Sequence, residues 1–132
     1  MRRGIVRTMA AYTRLRAWNV AHQLAREVSK AAKTFPREER YELTSQLRRA
    51  ALSVPTNIVE GRARYGTREF LRYVRRAISS LAEVEYLLLY ARDEGYLDEA
   101  PYAQLLDRCK HASTLIARLA RSLESSVSRP RQ

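Results

Sequence analysis

The feature that most constrains this chain is an unbroken apolar pattern between residues 70 and 91. Phe70, Val74, Ala77, Leu81, Val84, Leu88 and Ala91 follow one another in alternating steps of four and three. A helix with 3.6 residues per turn lines all of them up on one stripe, and such a stripe is the seam of a left-handed helix bundle. A strand would scatter the same residues onto both of its faces. Thr67 is placed to cap this helix, Glu69 complements its positive end, and Gly95 terminates it.

Other segments keep the same period. Leu15, Trp18, Ala21, Ala25, Val28 and Ala32 predict a first helix from about Thr13 to Thr34. Pro36, Glu38 and Glu39 read as the start of a second helix, since proline suits a first turn and acids suit its positive pole. Leu43, Leu47, Ala50 and Val54 form its inner stripe, and Gly61 is expected to stop it in the left-handed conformation. Asp98 or Glu99, followed by Pro101, opens a fourth helix. Its seam is Tyr102, Leu105, Cys109, Ala112, Ile116, Leu119 and Leu123. Connections this short join antiparallel neighbours. The expected fold is therefore all-α: an antiparallel up-down-up-down four-helix bundle over residues 13–124, with a basic arm at 1–12 and a basic tail at 125–132. Leu71, Ile78, Leu87, Leu89 and Tyr90 are apolar but lie off the third helix's seam. Some should widen the core stripe, and the rest should expose a patch of the kind that marks a subunit interface.

At 132 residues the chain is one domain with room for a real core. Hydrophobic residues make up 45%, with only four glycines and four prolines, which favours packed helices over disorder. The net charge is +11, and Lys30, Lys33 and Lys110 are the only lysines among 25 basic residues. Arginine offers a planar fork of donors that matches phosphate, so a polyanion is the expected partner. Cys109 stands alone, which excludes an intramolecular disulfide, suits the cytoplasm, and reads as a small core residue. No apolar run approaches the ~20 residues of a membrane span. Met1 to Leu15 carries Arg2, Arg3, Arg7 and Arg14 without an acid or an apolar core, and so is a basic arm and not a secretory signal.

Catalytic and metal chemistry find little support. Neither His22 nor His111 has the Glu three residues earlier that di-metal bundles use. Gly61 and Gly66 lack the spacing of a phosphate loop, and Glu83 and Glu85 point to different sides of a helix. No catalytic residue, metal or cofactor is expected. The spacing of Arg16 and His22 leaves a metal-independent ribonuclease as a lesser alternative.

The basic constellation is the stronger signal. Arg68, Arg72, Arg75 and Arg76 form a stripe opposite the Phe70–Val74 seam. Arg62 and Arg64 sit in the turn before it, beside Tyr65, and Arg48 and Arg49 add charge on the preceding helix. Like charges one turn apart cost a helix ~0.2–0.5 kcal/mol per pair, so the stripe does not serve the fold. Only Glu60 and Glu69 lie nearby in sequence. The bland alternative is a solvated arginine face on a purely structural protein-interaction module. Nothing resembles a groove-reading helix-turn-helix, so binding directed at the phosphate backbone is expected.

The segment Ser53-Val54-Pro55-Thr56-Asn57-Ile58-Val59-Glu60-Gly61 is unusual for a bundle helix. Pro55 removes a backbone donor and should bend the helix near Ala51. Asn57 and Glu60 are expected to satisfy the carbonyl and donors left over there. With Arg62 and Arg64 in the turn, then Glu69-Phe70, this run resembles the signature of the 23S rRNA intervening-sequence proteins. Trp18, Leu43 to Ala51 and Ser80 to Glu85 also fit, and the resemblance covers roughly residues 14 to 124. Ser79 departs from it, where relatives often carry Gly. The resemblance implies a four-helix bundle, assembly into a homopentamer, and binding of nucleic acid, with RNA favoured and DNA possible. It also implies a possible reverse transcriptase partner, as in diversity-generating retroelements. It implies no enzymatic activity.

Overall fold

The computed structural model describes the backbone of residues 2–128, and the side chains of residue 14 and residues 16–128. Four helices make up the fold: α1 (Arg2–Ala32), α2 (Leu43–Ala63), α3 (Thr67–Asp93) and α4 (Glu99–Ser128). Among the described residues there is no strand. Each helix packs on its chain neighbours, and α4 closes back onto α1, whereas diagonal helices stay apart. The expected antiparallel four-helix bundle is what forms.

The core follows the periodic stripes closely. Every residue of the α3 seam from Phe70 to Ala91 is buried, as are Tyr102, Leu105, Cys109, Ala112, Ile116 and Leu119 of α4. Leu24, Leu115 and Ala120 are also buried and belong to wider stripes than the sequence pattern indicated. Leu71 and Leu87 join the core, while Ile78 and Tyr90 stay exposed.

Several boundaries differ from expectation. Helix α1 continues N-terminally of Thr13 to Arg2, and α4 continues past Ser125 to Ser128. Pro36 does not open α2. It leads a single 3-10 turn at Arg37–Glu39, and α2 starts only at Leu43. Thr67 is the first residue of α3 and not its cap, and Gly66 precedes it with φ 88° and no side-chain capping bond. At the other end Gly95 does stop α3. It takes φ 78°, its N–H donates to the Arg92 carbonyl, and Tyr96 N–H reaches the Ala91 carbonyl at 2.9 Å. That pairing is a Schellman motif.

Gly61 is a further correction. It is not left-handed, and α2 runs through it to Ala63. It is buried, and a Cβ built there would lie 2.6 Å from the Tyr73 Cβ and 3.0 Å from the Phe70 ring. Glycine is needed because α2 and α3 approach too closely for any side chain.

Candidate nucleic-acid interface

The signature segment holds α2 against α3. Pro55 is buried inside α2 and cannot donate to the Ala51 carbonyl. Asn57 Nδ2 donates instead to the Ser53 carbonyl at 2.8 Å and to Ser53 Oγ at 2.9 Å, and Thr56 Oγ1 donates to the Leu52 carbonyl. The carbonyls beside the proline gap, and not Ala51's own, thus receive the side-chain donors. Ser53 Oγ in turn meets Ser80 Oγ of α3 at 2.8 Å, a half-buried bridge between the helices. Glu60 takes no part: it is exposed and has no hydrogen bond or ion pair among the described residues. Asn57 is structural, and Glu60 is a surface acid.

Close packing at Gly61 fixes Tyr73, and Tyr73 gathers arginines. Its side chain is buried, yet three guanidinium groups lie over its ring: Arg76 at 4.8 Å from the centroid, Arg64 at 5.4 Å and Arg72 at 5.8 Å. The electron-rich ring attracts each cation. Sequence reasoning passed over Tyr73, although its place between Arg72 and Val74, three residues before Arg76, is legible. Tyr65 stands at the tip of the same turn and is 99% exposed, the position of a ring that nothing in the fold uses.

The arginine stripe divides. Arg62, Arg64, Arg68, Arg72, Arg75 and Arg76 are all exposed. Arg72 lies 3.8 Å from Glu69, and Arg75 reaches across to Glu124 of α4 at 3.3 Å, an acid that sequence distance had hidden. Both pairs are largely solvated and contribute ~0–1 kcal/mol each. Arg62, Arg64, Arg68 and Arg76 have no acidic partner among the described residues. Together with Tyr73 and Tyr65 they form a basic pole at the α2–α3 turn.

The opposite end is acidic. Antiparallel threading brings the α1–α2 and α3–α4 connections together, and with them Glu38, Glu39, Glu42, Asp93, Glu94, Asp98 and Glu99. Phe35 and Tyr96 meet there at 6.1 Å between ring centroids. The local field shows in the phenols: Glu94 first, then burial, raises Tyr90 above its ordinary pKa, and burial followed by Glu39 raises Tyr96.

Arg48 and Arg49 are not part of the basic pole. They lie some 20 Å back along α2, at 1.5 Å per residue, and line a separate groove of about 830 Å³ between α1 and α2. Arg26, Lys30, Lys33 and Arg40 also line it, with His22, Tyr41 and Leu52. Its one acid, Glu27, is tied to Arg108 of α4 at 3.1 Å. Arg48 Nε donates to Ser29 Oγ at 3.1 Å across the groove floor. His22 is exposed and stacks on Trp18, with centroids 4.9 Å apart and rings within 5° of parallel. Arg16 is six residues before His22, about 120° around α1 from it at 100° per residue, so the two do not share a face.

Cys109 is buried, and burial first, with Glu85 adding, pushes its thiol up to about 12. It is a core residue. No cluster of three or more His, Cys, Asp or Glu side chains able to hold a metal converges among the described residues, and no helix there is long and apolar enough to cross a membrane.

The fold has a solved counterpart. A crystal structure of a protein of unknown function from the S23 ribosomal protein family of Bacteroides thetaiotaomicron superposes with a TM-score of 0.77, covering 83% of this chain and 98% of the other at 16% identity. No curated protein matches the sequence. The family model described as 23S rRNA-intervening sequence protein matches residues 13–118, a span that takes in the Pro55–Gly61 segment, the Tyr73 cluster and the basic turn, and the chain belongs to that family.

Proposed function

We propose that this protein is a non-enzymatic, oligomeric nucleic-acid-binding accessory protein that holds RNA by its phosphates at the basic pole. The observation that carries this reading is the gathering of Arg64, Arg72 and Arg76 around the buried Tyr73 ring, with Arg62 and Arg68 beside them. Concentrating like charge costs stability, and the fold offers these groups few acids in return. Phosphate oxygens supply what the protein withholds, in the geometry that guanidinium groups fit best. The exposed Tyr65 ring favours RNA with unpaired bases, which stack on aromatic faces.

Self-association is supported by Tyr86 and Tyr90, which are exposed one turn apart on α3, and by Leu52 and Val59 on α2. Five copies, as the family resemblance implies, would present the basic pole repeatedly to one polyanion.

The test is RNA binding measured over a salt series for the wild type and for a variant with Arg68, Arg72, Arg75 and Arg76 all replaced by Gln. The variant should bind more weakly and with a shallower salt slope, while keeping its helicity. Equal affinity and an equal salt slope would reduce the pole to a solvated face.

A further inference from the structure

The groove between α1 and α2 is chemically complete in a way the basic pole is not. Six cations line it, and its single acid is already engaged by Arg108 outside it. An aromatic ring stands toward each end. His22 is backed by Trp18, and Tyr41 is 80% exposed with Arg40 over its ring at 5.4 Å. From His22 to Lys33 the groove follows α1 for ~16 Å, at 1.5 Å per residue. Neighbouring helices pack ~8–10 Å apart, so the depression between them is too narrow to seat a duplex.

We infer that this groove is a second site, separate from the basic pole, which holds a single-stranded stretch of nucleic acid with its phosphates on the cations and its bases stacked against His22 and Tyr41. The identity of the ligand rests on the nucleic-acid reading above; the place does not. Cations that track a backbone, with aromatic platforms beside them, are how sequence-tolerant single-strand sites are built. An acidic peptide would use the cations but leave the rings without a partner. A duplex keeps its bases stacked and has nothing to give them.

Trp18 is the chain's only tryptophan and backs His22, so its emission reports on the His22 end of this groove. The experiment titrates the full chain with a ten-nucleotide oligouridine, a duplex of the same length, and polyglutamate. Oligouridine should quench Trp18, and should do so equally in the variant with Arg68, Arg72, Arg75 and Arg76 changed to Gln. Combining Tyr41→Ala with Arg48→Gln and Arg49→Gln should weaken that quench at least tenfold and flatten its salt slope by ~1.4, at −0.7 per single-strand phosphate. These residues are exposed, so helicity should hold.

Oligouridine retained on a filter without any change in Trp18 emission would overturn the groove while leaving the basic pole intact. Quenching by polyglutamate as strong as by oligouridine would overturn it in favour of an acidic-peptide site. No retention of either oligonucleotide by any form would overturn both readings together.

Discussion

Gly61 and Tyr73 touch across the α2–α3 interface so closely that one added methyl group on the glycine would sit 2.6 Å from the tyrosine Cβ. The neighbour in question is the root of a side chain and cannot swing away. Gly61→Ala should therefore force the helices apart and destabilise the fold by ~1–3 kcal/mol, as overpacking does. Chemical denaturation would show it. A change within a few tenths of a kcal/mol would mean that the close approach has slack.

Tyr73→Leu keeps the buried volume roughly filled but removes the ring that gathers the arginines. No charge is lost, so the salt dependence of RNA binding should hold. The affinity should fall because three guanidinium groups become free to wander. Fluorescence anisotropy at several salt concentrations separates the two quantities. A changed slope with unchanged low-salt affinity would contradict the role given to the ring.

The Ser53–Ser80 bridge and the Asn57 bonds should each be worth about 1 kcal/mol, the usual net value of a partly buried hydrogen bond. Ser80→Ala and Asn57→Ala should each lower the unfolding free energy by that order. Because both act through Ser53 Oγ, the double variant should cost less than the two added together. Strict additivity would show that they are independent.

Cys109, Tyr90 and Tyr96 make the fold alkali-sensitive. The thiol's pKa rises from 9.0 in the open chain to about 12 in the fold. Its contribution is complete below pH 9 and is lost as pH climbs towards 12. Tyr90 and Tyr96 shift in the same direction. Melting temperature should fall over that window, and Cys109→Ala should shallow the fall. The native thiol should resist alkylation at pH 8.

Replacing Tyr86 and Tyr90 by serine should shift the protein towards the 15.3 kDa monomer in sedimentation at physiological salt. A wild type that is itself monomeric under those conditions would remove self-association altogether.

The α3 seam was legible because period alone decides it: Phe70 to Ala91 repeat without interruption, and no tertiary knowledge is needed to assign their face. Gly95 was legible for a similar reason, since a glycine after a seam has few other uses. Gly61 was not. A glycine at a helix end looks the same whether it turns the chain or admits a neighbour, and only the position of Tyr73 separates the two. Pro36 misled because its acids favour a helix start in general, while Leu43 is the first residue with a core to face. The arginine stripe was read correctly as exposed, but the partner of Arg75 comes from α4, 49 residues away. Arg48 and Arg49 were grouped with the stripe by charge, and helix length separates them.

The two poles give the molecule a handedness toward its surroundings that its net charge conceals. Far from a polyanion, beyond the reach of any hydrogen bond, the arginine end is drawn in and the glutamate end is turned away, as a compass needle turns before it touches anything. On the proposed reading, a polyanion would therefore meet residues 62–76 before the acid-rich α3–α4 connection, and its contact with the bundle would begin at that end.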